Sequence, residues 1–535
     1  MKKCYIFLII PCLALLMSCN DLLDLKPEDA VSNETFFNTK TDFDQAITGL
    51  YSLLRPTNSD ANDGAYAGNL YWSVCSDEGF YIYSWTNPWF DISRGELTPV
   101  TSGISGIYAN LYRTIYWANT IMNAMDKHKS DFNEDYQKFI MGQSHFVRAI
   151  CYIRLTSLWG AVPMVDHVYT PAEAKLPRSS VNAITDSLII PDLDIAANSL
   201  DEVPYGGKAG MATKQAAIGM KVRAYLYNKD YENTIKAAGE LMTMATHSSN
   251  VGFLDDYKSI FSNSNEDNKE ILFALKYTAG GTKQGSTFNT PFGSKLPGLP
   301  AESMNGTWAS FSITPELLDS YPLIDGKTVA QGSTAVVDSD VWANRGPRFE
   351  ATYYIGDHSV LGNGMKYTKD FVCNISNQCA KDYPLTLNKG YMNEDNKIDY
   401  LQEDESDFII LRYTDVLLMY AEAKTMLGQV DQSVYDILDK VRDRAGLPHV
   451  SRGQSAAQMM KTIQDERKWE FAFEEIRYFD IRRWGIAEDV FNTITSDEKY
   501  DFGSHKVFKK SNYLWPIPQD AIDANPNLLP NNEGY

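Results

Sequence analysis

Seven aromatic residues outside the helical patterns of this sequence are its best candidates for chemistry. Tyr81, Tyr83, Trp85 and Trp89 crowd one loop-rich stretch; Phe288, Phe292 and Trp308 lie in a second. The chemistry they suit is sugar binding. A pyranose presents an apolar C–H face to an exposed ring, while nearby amides and carboxylates bond its hydroxyls. Burying about 50 Å² per ring at roughly 25 cal/mol/Å² yields about 1 kcal/mol each. Three rings plus hydrogen bonds, less ordering costs, predict an affinity between about micromolar and millimolar. The opposing expectation for each ring is a small satellite core beneath its loop. Trp72, Trp117, Trp159, Trp469, Trp484 and Trp515 fall in helical or tail segments and read as structural.

Catalysis has weaker support. A glycoside hydrolase needs two carboxylates flanking the bond, one with a raised pKa. Glu470 with Glu474, and Asp77 with Glu78, are the candidate pairs. The first pair shares its stretch with Arg467 and Arg477, which keep acids ionised. The seven histidines are scattered, and G-x-S-x-G, H-E-x-x-H and a phosphate loop are absent from the sequence. The run YMNEDNKID (391–399) lacks EF-hand spacing and reads as a solvated loop. We therefore expect no catalytic residue, metal or cofactor.

The formal charge of −20 argues against a nucleic-acid groove, which needs a basic stripe. At the N-terminus, Lys2 and Lys3 precede an apolar run too short to span a bilayer, ending Leu-Met-Ser-Cys at Cys19. This resembles the bacterial lipobox, in which residues 1–18 are cleaved and Cys19 is lipidated; the alternative is an ordinary secretory signal. Asp21 and Asp24 resemble the surface-export signal of Bacteroidetes lipoproteins. Two or more acyl chains anchor a protein stably. Cys75 and Cys151 read as buried hydrophobes, and Cys373 with Cys379 leaves a disulfide open.

The elements that must position the aromatic loops are helices. Periodicity is clear at 104–128, 139–160, 212–245 and 408–485. Segments 212–245 and 413–445 each resemble a tetratricopeptide helix pair, turning at Asn228-Lys229-Asp230 and Gly428-Gln429. The pairs are not tandem, so the chain reads as a helical frame carrying insertions. Charges inside the apolar runs of 408–485, among them Arg412, Asp415, Glu422, Glu470, Glu474, Arg477 and Asp480, must be paired if buried. They predict an ion-pair network tying helices together. Residues 246–407 form the main insertion, with strands expected at 270–278 and 348–355 around a Gly/Pro/Ser/Thr-rich run.

Seven motifs in fixed order resemble the SusD/RagB family of outer-membrane glycan-binding lipoproteins. They are Cys19 with DLLDLKP; RAICYIRLTSLWGAVPMV (148–165); ATKQAAIGMKVRAYLYNKDYENTIKAA (212–238); TPELLDSYPLIDGK (314–327); LRYTDVLLMYAEAKTMLGQVDQSVYDILDKVRDRAGL (411–447); ERKWEFAFEEIRYFDIRRWG (466–485); and YLWPIPQDAIDANPNLLPNNEGY (513–535). The resemblance implies a mostly α fold, in which tetratricopeptide-like helix pairs form a right-handed frame with a loop-rich, partly β insertion. It implies a signal peptide (1–18), a lipidated tether (19–40) and one domain (41–535). Within that domain the frame is 41–245 and 408–485, the ligand-facing insertion is 246–407, and the tail is 486–535. It also implies a non-enzymatic surface protein that captures an oligosaccharide and acts as the lid of a SusC-like TonB-dependent transporter. The alternatives are an adaptor that binds little sugar and a binder of peptides or glycopeptides.

Overall fold

The computed structural model describes residues 36–56, 62–68, 70–81, 88–278, 285–286, 311–360, 366, 383, 385–390, 405–500 and 505–535. They divide into a short leading unit ending at Ala46 and a body, Ile47–Tyr535. The fold is mostly helical with small two-stranded sheets. No helix among the described residues is long and apolar enough to cross a membrane.

Helix α1 (Lys40–Ser52) starts on a reciprocal cap. The Thr39 N–H donates to Asp42 Oδ2 at 2.7 Å and the Asp42 N–H to Thr39 Oγ1 at 3.3 Å. The frame then runs through α2 (Ile104–Lys127), α3 (Glu134–Trp159), α4 (Ile190–Ser199), α5 (Lys214–Tyr227) and α6 (Tyr231–Met244). Their starts are capped by side chains: Asn133, Thr213 and Asp230 each accept a backbone N–H in the first turn. Gly160 ends α3 at φ 70°, where a side chain would be strained. Pro191 does not interrupt its helix. A π-helical stretch, Thr185–Ile189, precedes α4 and absorbs the proline in the first turn of α4.

After the insertion come α7 (Pro315–Ser320), α8 (Pro347–Thr352), α9 (Tyr413–Met426), α10 (Gln432–Arg444), α11 (Ala456–Glu470) and α12 (Ile476–Arg483). Consecutive frame helices pack in series from α2 to α6. The α6 helix then packs on α9, which packs on α10 and α11. The helix pairs separated by the insertion are thus direct neighbours. The insertion's stem explains this: β2 (Ile271–Leu275) pairs antiparallel with β6 (Phe408–Arg412), bringing its two ends together. Gly219 permits a close approach there, since a Cβ on it would lie 2.6 Å from Leu411 Cδ2.

The strand expected at 348–355 is corrected. Pro347 starts helix α8 through Thr352, and only β4 (Tyr353–Ile355) is extended, pairing with β5 (Leu385–Leu387). Proline at the first helical position has its ring angle preset for helix.

The predicted ion-pair network is present and fully buried. Arg412 joins Glu270 (2.9 Å), Glu470 (2.8 Å) and Glu474 (2.7 Å); Arg444 joins Glu270 (2.7 Å) and Glu470 (2.6 Å). Arg348 joins Glu466 (2.6 Å) and Glu470 (3.1 Å), and Lys389 joins Glu474. These four cations balance four carboxylates, so little net charge is buried. Glu270, Arg348 and Lys389 belong to the insertion, which the network therefore ties to the frame. Thr414 Oγ1 donates to Glu270 Oε1, giving this helix residue a polar role.

Candidate functional site

Two strands position the aromatic loops. β1 (Gly79–Tyr81) pairs antiparallel with β3 (Phe311–Ile313), Gly79 opposite Ile313 and Tyr81 opposite Phe311. Gly79 is required: a Cβ there would lie 2.1 Å from the Phe311 ring. The ribbon is anchored below. The Thr314 N–H donates to Glu78 O at 3.0 Å, and Thr314 Oγ1 caps α7 by accepting from the Leu317 N–H. In this register residue 82 leaves, and residue 310 arrives, at one end of the ribbon.

Tyr83, Trp85, Phe288, Phe292 and Trp308 lie outside the described residues, as does the side chain of Tyr81. Trp89 is described, and the expectation for it is corrected. It is fully buried, stacked on Tyr71 at 5.5 Å and edge-on to Trp72 at 5.0 Å. Trp89 begins a short helix, Trp89–Ser93, whose inner face it fills, so no ring face remains for a sugar. Trp72, Trp159 and Trp515 are fully buried, while Trp469 and Trp484 donate to Ser320 Oγ (3.1 Å) and Glu422 Oε1 (2.9 Å).

A chain of packed rings runs from the ribbon through a buried core to two partly buried rings, Trp342 and Tyr383, none of them singled out above. From Phe311, ring contacts pass to Phe473 (5.8 Å), Tyr353 (5.9 Å), Phe349 (4.7 Å) and Trp342 (6.3 Å, nearly parallel). Trp342 meets Tyr383 edge-on at 5.9 Å, and both rings are partly exposed. Polar groups frame them. Tyr383 Oη donates to Asp319 Oδ2 at 3.0 Å, and the Trp342 N–H to Asp340 Oδ1 at 3.2 Å. The Arg345 guanidinium lies 5.2 Å from the Trp342 ring centroid and 5.4 Å from that of Phe349. Burial lowers the Arg345 pKa, and burial raises that of Asp319 against the opposing Tyr383 hydrogen bond. Partly exposed aromatic residues beside fixed hydroxyl and carboxylate groups suit a sugar's two chemistries. Trp342 satisfied the criterion used for the other rings, a tryptophan among turn residues of the insertion, in VDSDVWANRGP.

Neither carboxylate pair faces open space. Burial pushes Glu470 up, but Arg444, Arg412, Arg348 and Lys389 outweigh it and hold the carboxyl at about 2. Asp77 is held by both Arg477 nitrogens at 2.7 and 2.8 Å. Glu78 is raised to about 7, first by burial, yet it is only 1% exposed and accepts from the Phe473 N–H at 3.3 Å. A raised acid beside an ionised one is the hydrolase pattern, but here no bond in a substrate could reach it. Among the described residues no group of three or more His, Cys, Asp or Glu could hold a metal. Cys75 and Cys151 are free and buried; Cys373 and Cys379 lie outside the described residues. A separate cleft of about 490 Å³ opens on the frame beside Ile153, Val181, Ile189 and Leu514. Of the cations lining it, Arg483 is spent on Glu422 and Asp480.

Residues 269–535 match the model of the SusD family, and residues 21–226 match one described as starch-binding associating with outer membrane. The chain is 26% identical over 562 residues to the SusD-like protein P25 of Formosa agariphila, covering 99% of this chain and 98% of that one. It is similar to the crystal structure of a SusD-like carbohydrate binding protein from Bacteroides fragilis, with TM-score 0.77 and 26% identity over 92% of this chain and all of that one. Surface glycan-binding protein A from Bacteroides thetaiotaomicron, in complex with laminarihexaose, shares the fold at TM-score 0.67 and 19% identity, over 92% and 100% of the two chains.

Proposed function

This chain belongs to the SusD family, and on that premise we propose that it is a cell-surface lipoprotein that captures a glycan and passes it to a SusC-like TonB-dependent transporter, as its lid. The observation that carries the sugar reading is the partly exposed Trp342–Tyr383 pair beside Asp319, in a chain similar to a solved carbohydrate binding protein. We propose Tyr83, Trp85 and Trp308 as further stacking rings for the glycan, with Phe288 and Phe292 as additional candidates on the same segment of the sequence as Trp308. The protein does no chemistry on the glycan; it holds it. Cys19 anchors it to the outer membrane through acyl chains, with the body outside the cell.

The test is affinity electrophoresis against a panel of polysaccharides, comparing wild type with Trp342→Ala, Trp308→Ala and Trp85→Ala. Loss of one stacking ring should weaken binding about fivefold, the equivalent of about 1 kcal/mol. A wild type that binds no glycan, or three variants that all bind unchanged, would sink the reading in favour of an adaptor. Cys19→Ala should release the protein from membranes with glycan binding intact; retention at the membrane would refute the anchor.

A further inference from the structure

The side chains around the Trp342 platform carry a charge pattern that bears on which glycan it takes. Asp319 is bonded to Tyr383, and Asp340 to the Trp342 backbone. Asp338 is exposed two residues before Asp340, and exposed Asp357 adjoins His358, which meets Asp340 at 3.0 Å. Glu316 lies one turn before Asp319 on α7. Against these five acids stand two exposed lysines. Lys366 bridges to Val360, and Lys499 faces Asp319.

The third cation, Arg345, is not presented to a ligand. It is 4% exposed, lies against the Trp342 and Phe349 rings, and donates to the carbonyls of Leu318, Tyr321 and Val341. Arg348 is consumed by Glu466 and Glu470. By sequence, 82–87 carry no charge, 279–310 carry Lys283, Lys295 and Glu302, 361–382 lean positive by one, and 391–404 carry five acids against Lys397. The whole chain is at −20.

We infer that the glycan held at the Trp342 platform is neutral, and that uronate-bearing or sulfated glycans are excluded by charge. This rests on the glycan-binding reading above and narrows it. A polymer with an acid on every few sugars brings several like charges within one Debye length, about 8 Å at physiological salt, of the rim. A specificity device of this kind works by repelling the wrong partner, not by extra contacts to the right one. The aromatic rings then need only recognise the C–H faces that neutral and acidic sugars share.

The test uses chemically matched pairs. Laminarin, xyloglucan, galactomannan and mannan are screened first, and whichever binds is compared with its own carboxymethylated form. The carboxymethylated polymer should bind at least about tenfold more weakly at low salt, with the gap closing near ~1 M NaCl. The double variant Asp338→Asn/Asp357→Asn should narrow the gap at low salt while leaving neutral binding unchanged, because both carboxylates are exposed and lie outside the Trp342–Tyr383–Asp319 set that holds the sugar. Equal or tighter binding of the carboxymethylated form, or preferential binding of polygalacturonate or chondroitin sulfate, overturns the inference while leaving glycan binding intact. Failure to bind any polysaccharide, neutral or acidic, removes the reading beneath it.

Discussion

At the scale of single residues, Trp89 and Trp342 exchange the roles that composition suggests. Both stand among turn residues, but Trp89 closes a core against Tyr71 and Trp72 whereas Trp342 is only partly buried. Trp89→Ala should therefore cost about 3–5 kcal/mol of stability in urea unfolding, as expected for a large buried ring. A merely weakened glycan affinity with unchanged stability would contradict this. Glu78 gives a second residue-scale prediction. Burial raises its carboxyl from 4.5 to about 7, so the folded protein keeps a proton that the unfolded chain gives up. Its contribution is most favourable below about pH 4.5 and declines as pH rises toward 7, by roughly 3 kcal/mol in all. Glu78→Gln keeps the acceptor for the Phe473 N–H and removes the titration. The variant should match wild type at pH 4 and exceed it in stability at pH 8; equal stability at both would refute the assignment.

At the scale of elements, the β1–β3 ribbon is the smallest unit on which the site depends. Gly79→Val would drive a side chain into the Phe311 ring. We expect its glycan binding to fall at least about tenfold while far-UV circular dichroism stays helical, because each frame helix keeps its own backbone hydrogen bonds. The helix starts are less demanding. Asp230 accepts the Asn233 N–H at 3.1 Å, so Asp230→Ala should cost about 1 kcal/mol in unfolding and leave binding unaltered. A cap of this kind is set by residues within one turn. The ribbon is not local, because Gly79 and Ile313 pair across 234 residues of sequence. Pro191 shows the same limit: local rules end a helix at proline, but a π-turn can accommodate it.

At the scale of the whole molecule, the buried network of Glu270, Glu466, Glu470 and Glu474 with Arg348, Arg412, Arg444 and Lys389 joins insertion to frame. Arg412→Met leaves carboxylates buried with fewer partners and should destabilise by about 3–5 kcal/mol, read as a lower urea midpoint. The network also sets the acid limit. Asp415, despite burial, is held at about 2 by Arg467 and Arg223, and Glu470 at about 2 by the cations around it. Depressed carboxylates contribute fully above their ordinary values, near 3.8 and 4.5, and that contribution is lost as pH falls through about 2. Cooperative unfolding between about pH 4 and 2 is the expected outcome in a circular dichroism titration; a flat profile would contradict it.

The sequence by itself determined the helical class, the family and the need for paired charges in 408–485. These depend on periodicity, motif order and the cost of an isolated buried charge, all of which are local or compositional. Tertiary structure alone decided that helix pairs on either side of the insertion are neighbours, that Glu270 and Arg348 complete the network, and which tryptophan stays partly exposed. Whether a ring in a loop is buried depends on what folds back over it. Trp89 is fully buried against Tyr71 and Trp72, whereas Trp342 stays partly exposed beside Tyr383, Phe349 and Arg345.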